Sequence, residues 1–167
     1  MRRSALTPVL AALALALACG GGASIHDYRA DLTAGLDSFF AANSALLEAG
    51  FPEGDRTGYE AFFASYRGNF DRLHDDLEAA DVPGDLVEEH RAFTDAVAAV
   101  SDRVDTILQR DLGGAVGTGE ALLLARLYND LEAAESACTA LDGALREADG
   151  GAALTCADFG RFAGTSG

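Results

Sequence analysis

Ile25, Leu32, Phe39 and Leu46 recur at seven-residue intervals, and Tyr28, Leu36 and Asn43 fill the alternate seam between them. That period is one face of an α-helix, because positions three, four and seven apart return to the same side of a coil with 3.6 residues per turn. The pattern predicts a helix over residues 24–49, about 39 Å long at 1.5 Å per residue. Gly50, with Pro52 just beyond, supplies the stop.

Three further stripes follow. Tyr59, Phe62, Phe63, Tyr66, Phe70, Leu73 and Leu77 mark the second, which opens on a capping box, Thr57-x-x-Glu60, and ends near Ala80. Leu86, His90, Phe93, Val97, Val100, Val104 and Ile107 mark the third, with Pro83 placed as a first helical residue. Asp85, Glu88 and Glu89 lie near its positive end. A glycine-rich loop from Gly113 to Gly119 separates it from the fourth stripe, Leu124, Leu127, Leu131, Ala134, Cys138, Leu141 and Leu145. Four such stripes with short connections predict an all-α, up-down-up-down antiparallel four-helix bundle. Gly35, Gly68 and Gly143 fall inside the helices, where each costs up to about 1 kcal/mol relative to alanine. The periodicity gives no reason for them.

The start of the chain obeys another rule. Arg2 and Arg3 precede an almost wholly apolar run from Ala5 to Ala18, interrupted by Thr7 and Pro8. It ends in Ala16-Leu17-Ala18-Cys19, followed by Gly20-Gly21-Gly22. Positive, apolar and small residues in that order make a secretory signal. The run falls short of the roughly 20 apolar residues a membrane-spanning helix needs. With a cysteine at the cut, the stretch resembles a bacterial lipoprotein signal peptide and its lipobox. The resemblance implies that residues 1–18 are removed and that Cys19 becomes the first residue, carrying acyl chains such as palmitate. Residues 19–23 then form a lipidated tether, and residues 24–167 form the bundle with its C-terminal tail. It further implies an extracytoplasmic place in the cell envelope, anchored to the membrane by lipid. Gly20 stands where inner-membrane retention is linked to aspartate, which implies the outer membrane, facing the periplasm, in a Gram-negative host.

The chain carries a formal net charge of −15, and all its basic residues apart from three histidines are arginine. Loss of Arg2 and Arg3 leaves ten arginines against 27 acidic residues, a net charge of −17. Such a surface repels nucleic acid and anionic headgroups, so no nucleic-acid partner is expected.

Besides Cys19, the mature chain holds Cys138 and Cys156. An exported domain with two cysteines usually pairs them. Cys138 lies about ten residues before the end of the fourth helix, roughly 15 Å back along it. Residues Asp149 to Thr155 can span that distance when extended. The predicted bridge folds the tail onto the bundle and lets Phe159 and Phe162 cover apolar surface.

Two constellations bear on chemistry. His74 and His90, each eight residues from a hairpin centre near Val82, are expected at the same height in an antiparallel pair, with Asp71 close by. Imidazole nitrogens beside a carboxylate suit Zn²⁺ or another transition metal, although a histidine on an apolar stripe is more often a hydrogen-bonded core residue. Phe39, Tyr59, Phe63 and Tyr66 offer a pocket for an apolar ligand between the first two helices, or simply fill the core. Other chemistries lack their residues. A di-iron bundle needs Glu-x-x-His on two helices, and only Asp71-x-x-His74 is present. Neither a haem-attachment motif, a calcium loop, a phosphate-binding glycine motif nor Gly-x-Ser-x-Gly occurs.

The expectation is therefore a lipid-anchored, non-enzymatic helical bundle that binds or scaffolds an envelope protein or small ligand, without a cofactor. The alternatives are a metal-binding or redox bundle using His74 and His90, and a carrier of a small apolar ligand.

Overall fold

The computed structural model describes residues 24–50, 56–110, 118–157 and 159. Residues 1–23, with Cys19, and also Pro52, most of the Gly113–Gly119 loop and Phe162 lie outside the described residues. Within them run α1 (Ile25–Glu48), α2 (Arg56–Ala79), α3 (Val87–Leu108) and α4 (Thr118–Asp149). None of these helices is long and apolar enough to cross a membrane.

Local chemistry sets the helix ends. The Ser24 hydroxyl accepts the Asp27 backbone N–H at 3.1 Å, and the Asp27 carboxylate sits in the first turn, where the helix dipole favours negative charge. Gly50 and Gly150 follow α1 and α4 with φ of +87° and +66°, a left-handed conformation that costs glycine little. Helix α2 begins at Arg56, so Thr57 lies inside its first turn and is not the cap; Glu60 accepts from Arg56 Nε at 2.8 Å. Pro83 precedes a short 3-10 turn, Gly84–Leu86, that leads into α3, and so stands just outside the helical residues.

Contacts between helices fix the order as up-down-up-down. Phe39 of α1 meets Phe70 of α2 at a ring separation of 4.7 Å. Arg67 and Asp71 of α2 pair with Asp105 and Ser101 of α3. Arg103 of α3 donates to Asp130 of α4 at 2.8 Å. The predicted antiparallel four-helix bundle is thus the fold, although α4, with 32 residues, outruns the other three, which have 22 to 24.

The core follows the stripes closely. Every predicted position of α3 is buried. On α4 the buried position is Leu123, while Leu124 is 39% exposed, since one residue is a 100° rotation and carries a side chain off the seam. Ile25, Leu46, Tyr59 and Phe62 pack only partly against the core.

Beyond α4 the tail turns back along the bundle. Cys138 and Cys156 form a disulfide with Cα atoms 5.6 Å apart. The Leu154 N–H donates to Asp142 Oδ1 at 2.8 Å. Phe159 is fully buried and does more than cover a surface. Its ring centroid lies 5.3 Å from that of Phe39, 5.1 Å from Phe40 and 5.9 Å from Phe93. The tail thereby places a residue at the meeting point of α1 and α3, with Phe70 of α2 at 6.4 Å.

An arginine fastens the turn that starts this tail. Arg29 of α1 is only 8% exposed, and its guanidinium grips the Asp149 carboxylate with Nε–Oδ2 at 2.9 Å and Nη2–Oδ1 at 2.5 Å. It also donates to the Ala152 carbonyl, and Asp142 lies 3.9 Å away. A two-pronged grip of this kind supplies direction as well as energy. The hydrogen bond from Arg29 holds the Asp149 carboxyl below the usual carboxylate range.

Candidate functional site

The first constellation to place is the histidine pair. His90 Nε2 lies 3.1 Å from the Leu77 carbonyl, which can only accept, so Nε2 carries the proton. Nδ1 is then bare and accepts the Tyr28 hydroxyl at 2.7 Å. Thr94 Oγ1 sits 3.3 Å from Nε2 and donates to the His90 carbonyl at 2.9 Å. Burial pushes the imidazole below its usual value, partly opposed by the bond to Leu77, and burial likewise raises the Tyr28 phenol. Both ring nitrogens thus have protein partners.

His90 is level with Leu77, one turn from His74. His74 turns instead towards Glu78, 3.9 Å away on its own helix. Asp71 accepts from Ser101 and lies 3.5 Å from Arg67 Nε. Among the described residues no three His, Cys, Asp or Glu side chains gather as metal ligands would.

The aromatic set is gathered into ring-to-ring contacts. Phe63 and Tyr66 are buried. Tyr59 meets Phe63 at 4.7 Å, Phe63 meets Phe62 at 5.5 Å, and Tyr66 meets Phe70 at 5.1 Å. Phe39 stacks on Phe159. Burial raises the Tyr66 phenol above its ordinary value. These rings pack against one another between the helices, and Phe39 also lines a small hollow beside Gly35.

A groove opens further along the same seam. Between the first half of α1 and the second half of α2 runs an open groove of about 420 Å³. Tyr28, Leu32, Leu73 and Leu77 form its apolar floor, and Asp31 and Asp76 stand at its rim. A smaller hollow of about 110 Å³ continues it past Gly35 and Ser38 towards Phe39, Asn69 and Arg72. At this inner end Asn69 Nδ2 donates to Asn43 Oδ1 at 2.7 Å, and Arg72 donates to Asn69 Oδ1 and to the Gly68 carbonyl. The Asn43 Nδ2, buried in the seam, has no acceptor among the described residues.

No family model, curated protein or solved structure matches this chain. Its functional reading therefore rests on its own residues.

Several of those residues escape sequence reasoning. Arg29 reads as a solvated charge on the edge of a stripe. Asp31 and Asp76 are two carboxylates among many. Gly35 is a helix-interior glycine without a turn to make, but so are Gly68 and Gly143, and the sequence does not single it out.

Proposed function

We propose that this chain is a lipid-anchored, extracytoplasmic binding module of the cell envelope, without catalytic activity of its own. The observation that carries the reading is the Cys138–Cys156 disulfide, which ties the tail into the core. Bonds of this kind persist in oxidising compartments and are rare in the cytosol. The signal-like start and Cys19 supply the anchor in the same reading.

The described side chains support binding over catalysis. His90 has both ring nitrogens engaged, which leaves neither as a ready base. The acidic surface favours a cationic partner over nucleic acid.

Metabolic labelling with a palmitate analogue tests the anchor. The wild-type chain is expected to incorporate label and sediment with membranes, and Cys19→Ser to do neither. Equal labelling of both, or a wild-type chain without label, overturns the assignment.

A further inference from the structure

The groove between α1 and α2 has a chemistry of its own. We infer that it is a binding site for a small amphipathic organic cation, an amine or quaternary ammonium with an apolar body. Asp31 and Asp76 would meet the charge, and Ala34, Ala79 and Ala80, with the edge of Leu32, the body. This deepens the binding-module reading by naming its ligand class.

Size comes first. A volume of about 420 Å³ falls within the roughly 300–1,000 Å³ typical of small-molecule sites. Ala34, Ala79 and Ala80 line it above the buried leucines and the Tyr28 ring, whereas the exposed rim is acidic. An apolar ligand would leave the carboxylates unused, and an anion would be repelled by them. Two carboxylates alone fall well short of the six to eight oxygen ligands that calcium takes.

Charge at this seam differs from charge at the others. The α2–α3, α3–α4 and α4–α1 seams are each crossed by an arginine–aspartate pair: Arg67–Asp105, Arg103–Asp130 and Arg29–Asp149. Asp31 and Asp76 have no hydrogen-bond or ion-pair partner among the described residues. Arg72, which lines the inner extension beside Asp76, is turned to Asn69 and the Gly68 carbonyl. The groove thus presents negative charge that the protein itself does not neutralise.

Gly35 keeps the groove deep. It lines both the main groove and its inner extension. A Cβ built there would meet only Asp76 Oδ2, at 4.0 Å, so no close packing demands glycine. Its φ is not positive, so no turn demands it either. A side chain there would project into the groove beside Asp76.

Titration calorimetry with octylamine tests this on the chain from Gly20 onward, which retains every described element, with the disulfide formed. Octanoate, of matching length and opposite charge, is the control. Octylamine is expected to bind one to one, and octanoate at least tenfold more weakly. Asp31→Asn and Asp76→Asn, both at exposed positions, are each expected to weaken octylamine by about two- to fivefold, as solvent-facing ion pairs do. Gly35→Leu is expected to abolish binding while raising the melting temperature, because it fills the groove and removes a helix-interior glycine. Absence of octylamine binding, equal affinity for octanoate, or unchanged binding by both aspartate variants each overturns the inference. Failure here leaves the palmitate-labelling result untouched, so the two readings fall separately.

Discussion

Phe159→Ala offers the sharpest test of how the tail is built into the protein. The wild-type ring is fully buried and touches rings from three helices. Truncating a buried phenylalanine costs about 3–5 kcal/mol, from lost transfer energy and the cavity left behind. The edge and stacked ring contacts place Phe159 towards the upper part of that range, about 4 kcal/mol. Urea unfolding of the oxidised protein, followed by far-UV circular dichroism, reads this directly. Replacing both Cys138 and Cys156 by alanine provides the comparison. Opening a loop of 18 residues is expected to cost about 3 kcal/mol on the chain-entropy model. Both perturbations act on one strap, so their combination should fall short of the sum by at least about 1 kcal/mol. A cost below about 1 kcal/mol for Phe159→Ala would refute the claim that the ring completes the core. Strict additivity would refute the claim that bridge and ring hold the same element.

Further outcomes follow from named contacts. Gly151→Ala would set a Cβ 2.6 Å from Arg29 Nε and 2.8 Å from Cζ. Arg29 is clamped by Asp149 and Ala152, so thermal unfolding should show a loss of about 1–3 kcal/mol; an unchanged melting temperature would show that the clamp yields. Gly35→Ala, with room for its methyl, should instead gain about 0.4–1 kcal/mol in the same assay, and a loss would show that the site is tighter than described. His90 should make the protein acid-sensitive: its pKa is lower folded than unfolded, so its contribution is complete above about pH 6.5 and declines as pH falls towards the folded value. The melting temperature of wild type should therefore drop more steeply between pH 7.5 and 5.5 than that of His90→Gln, and parallel profiles would count against the buried neutral imidazole. Arg29→Met should lower the melting temperature by several degrees at pH 7. Its deficit should shrink in acid, as the Asp149 carboxyl, held low by Arg29, takes up a proton.

What the sequence discloses here is what repeats. The seven-residue period of α1 and the stripes of α2, α3 and α4 are local signals, each complete within one helix, and they specify both the elements and the seams. The disulfide was legible for another reason: two cysteines within an 18-residue separation leave little choice of partner. Features that depend on how helices meet are not written in any one of them. The placing of His90 level with Leu77 rests on the hairpin centre, which the 3-10 turn at Gly84–Leu86 helps to set. Arg29 belongs to no stripe, and its burial depends on Asp149, 120 residues away along the chain. The groove at Gly35 depends on residues of two helices, and on α2 the atom nearest the glycine is a carboxylate oxygen of Asp76.

Phe159 lies beyond all four helices in the order of synthesis, yet it belongs to the centre of the bundle. A ribosome delivers the helices first and this ring afterwards, so the earlier helices alone leave a phenylalanine-sized vacancy between Phe39, Phe40 and Phe93. Full packing of the core therefore waits on the tail. The bridge to Cys138 likewise can close only once Cys156 has been made. The last described segment of the chain is thus a part of the core that the four helices cannot supply among themselves.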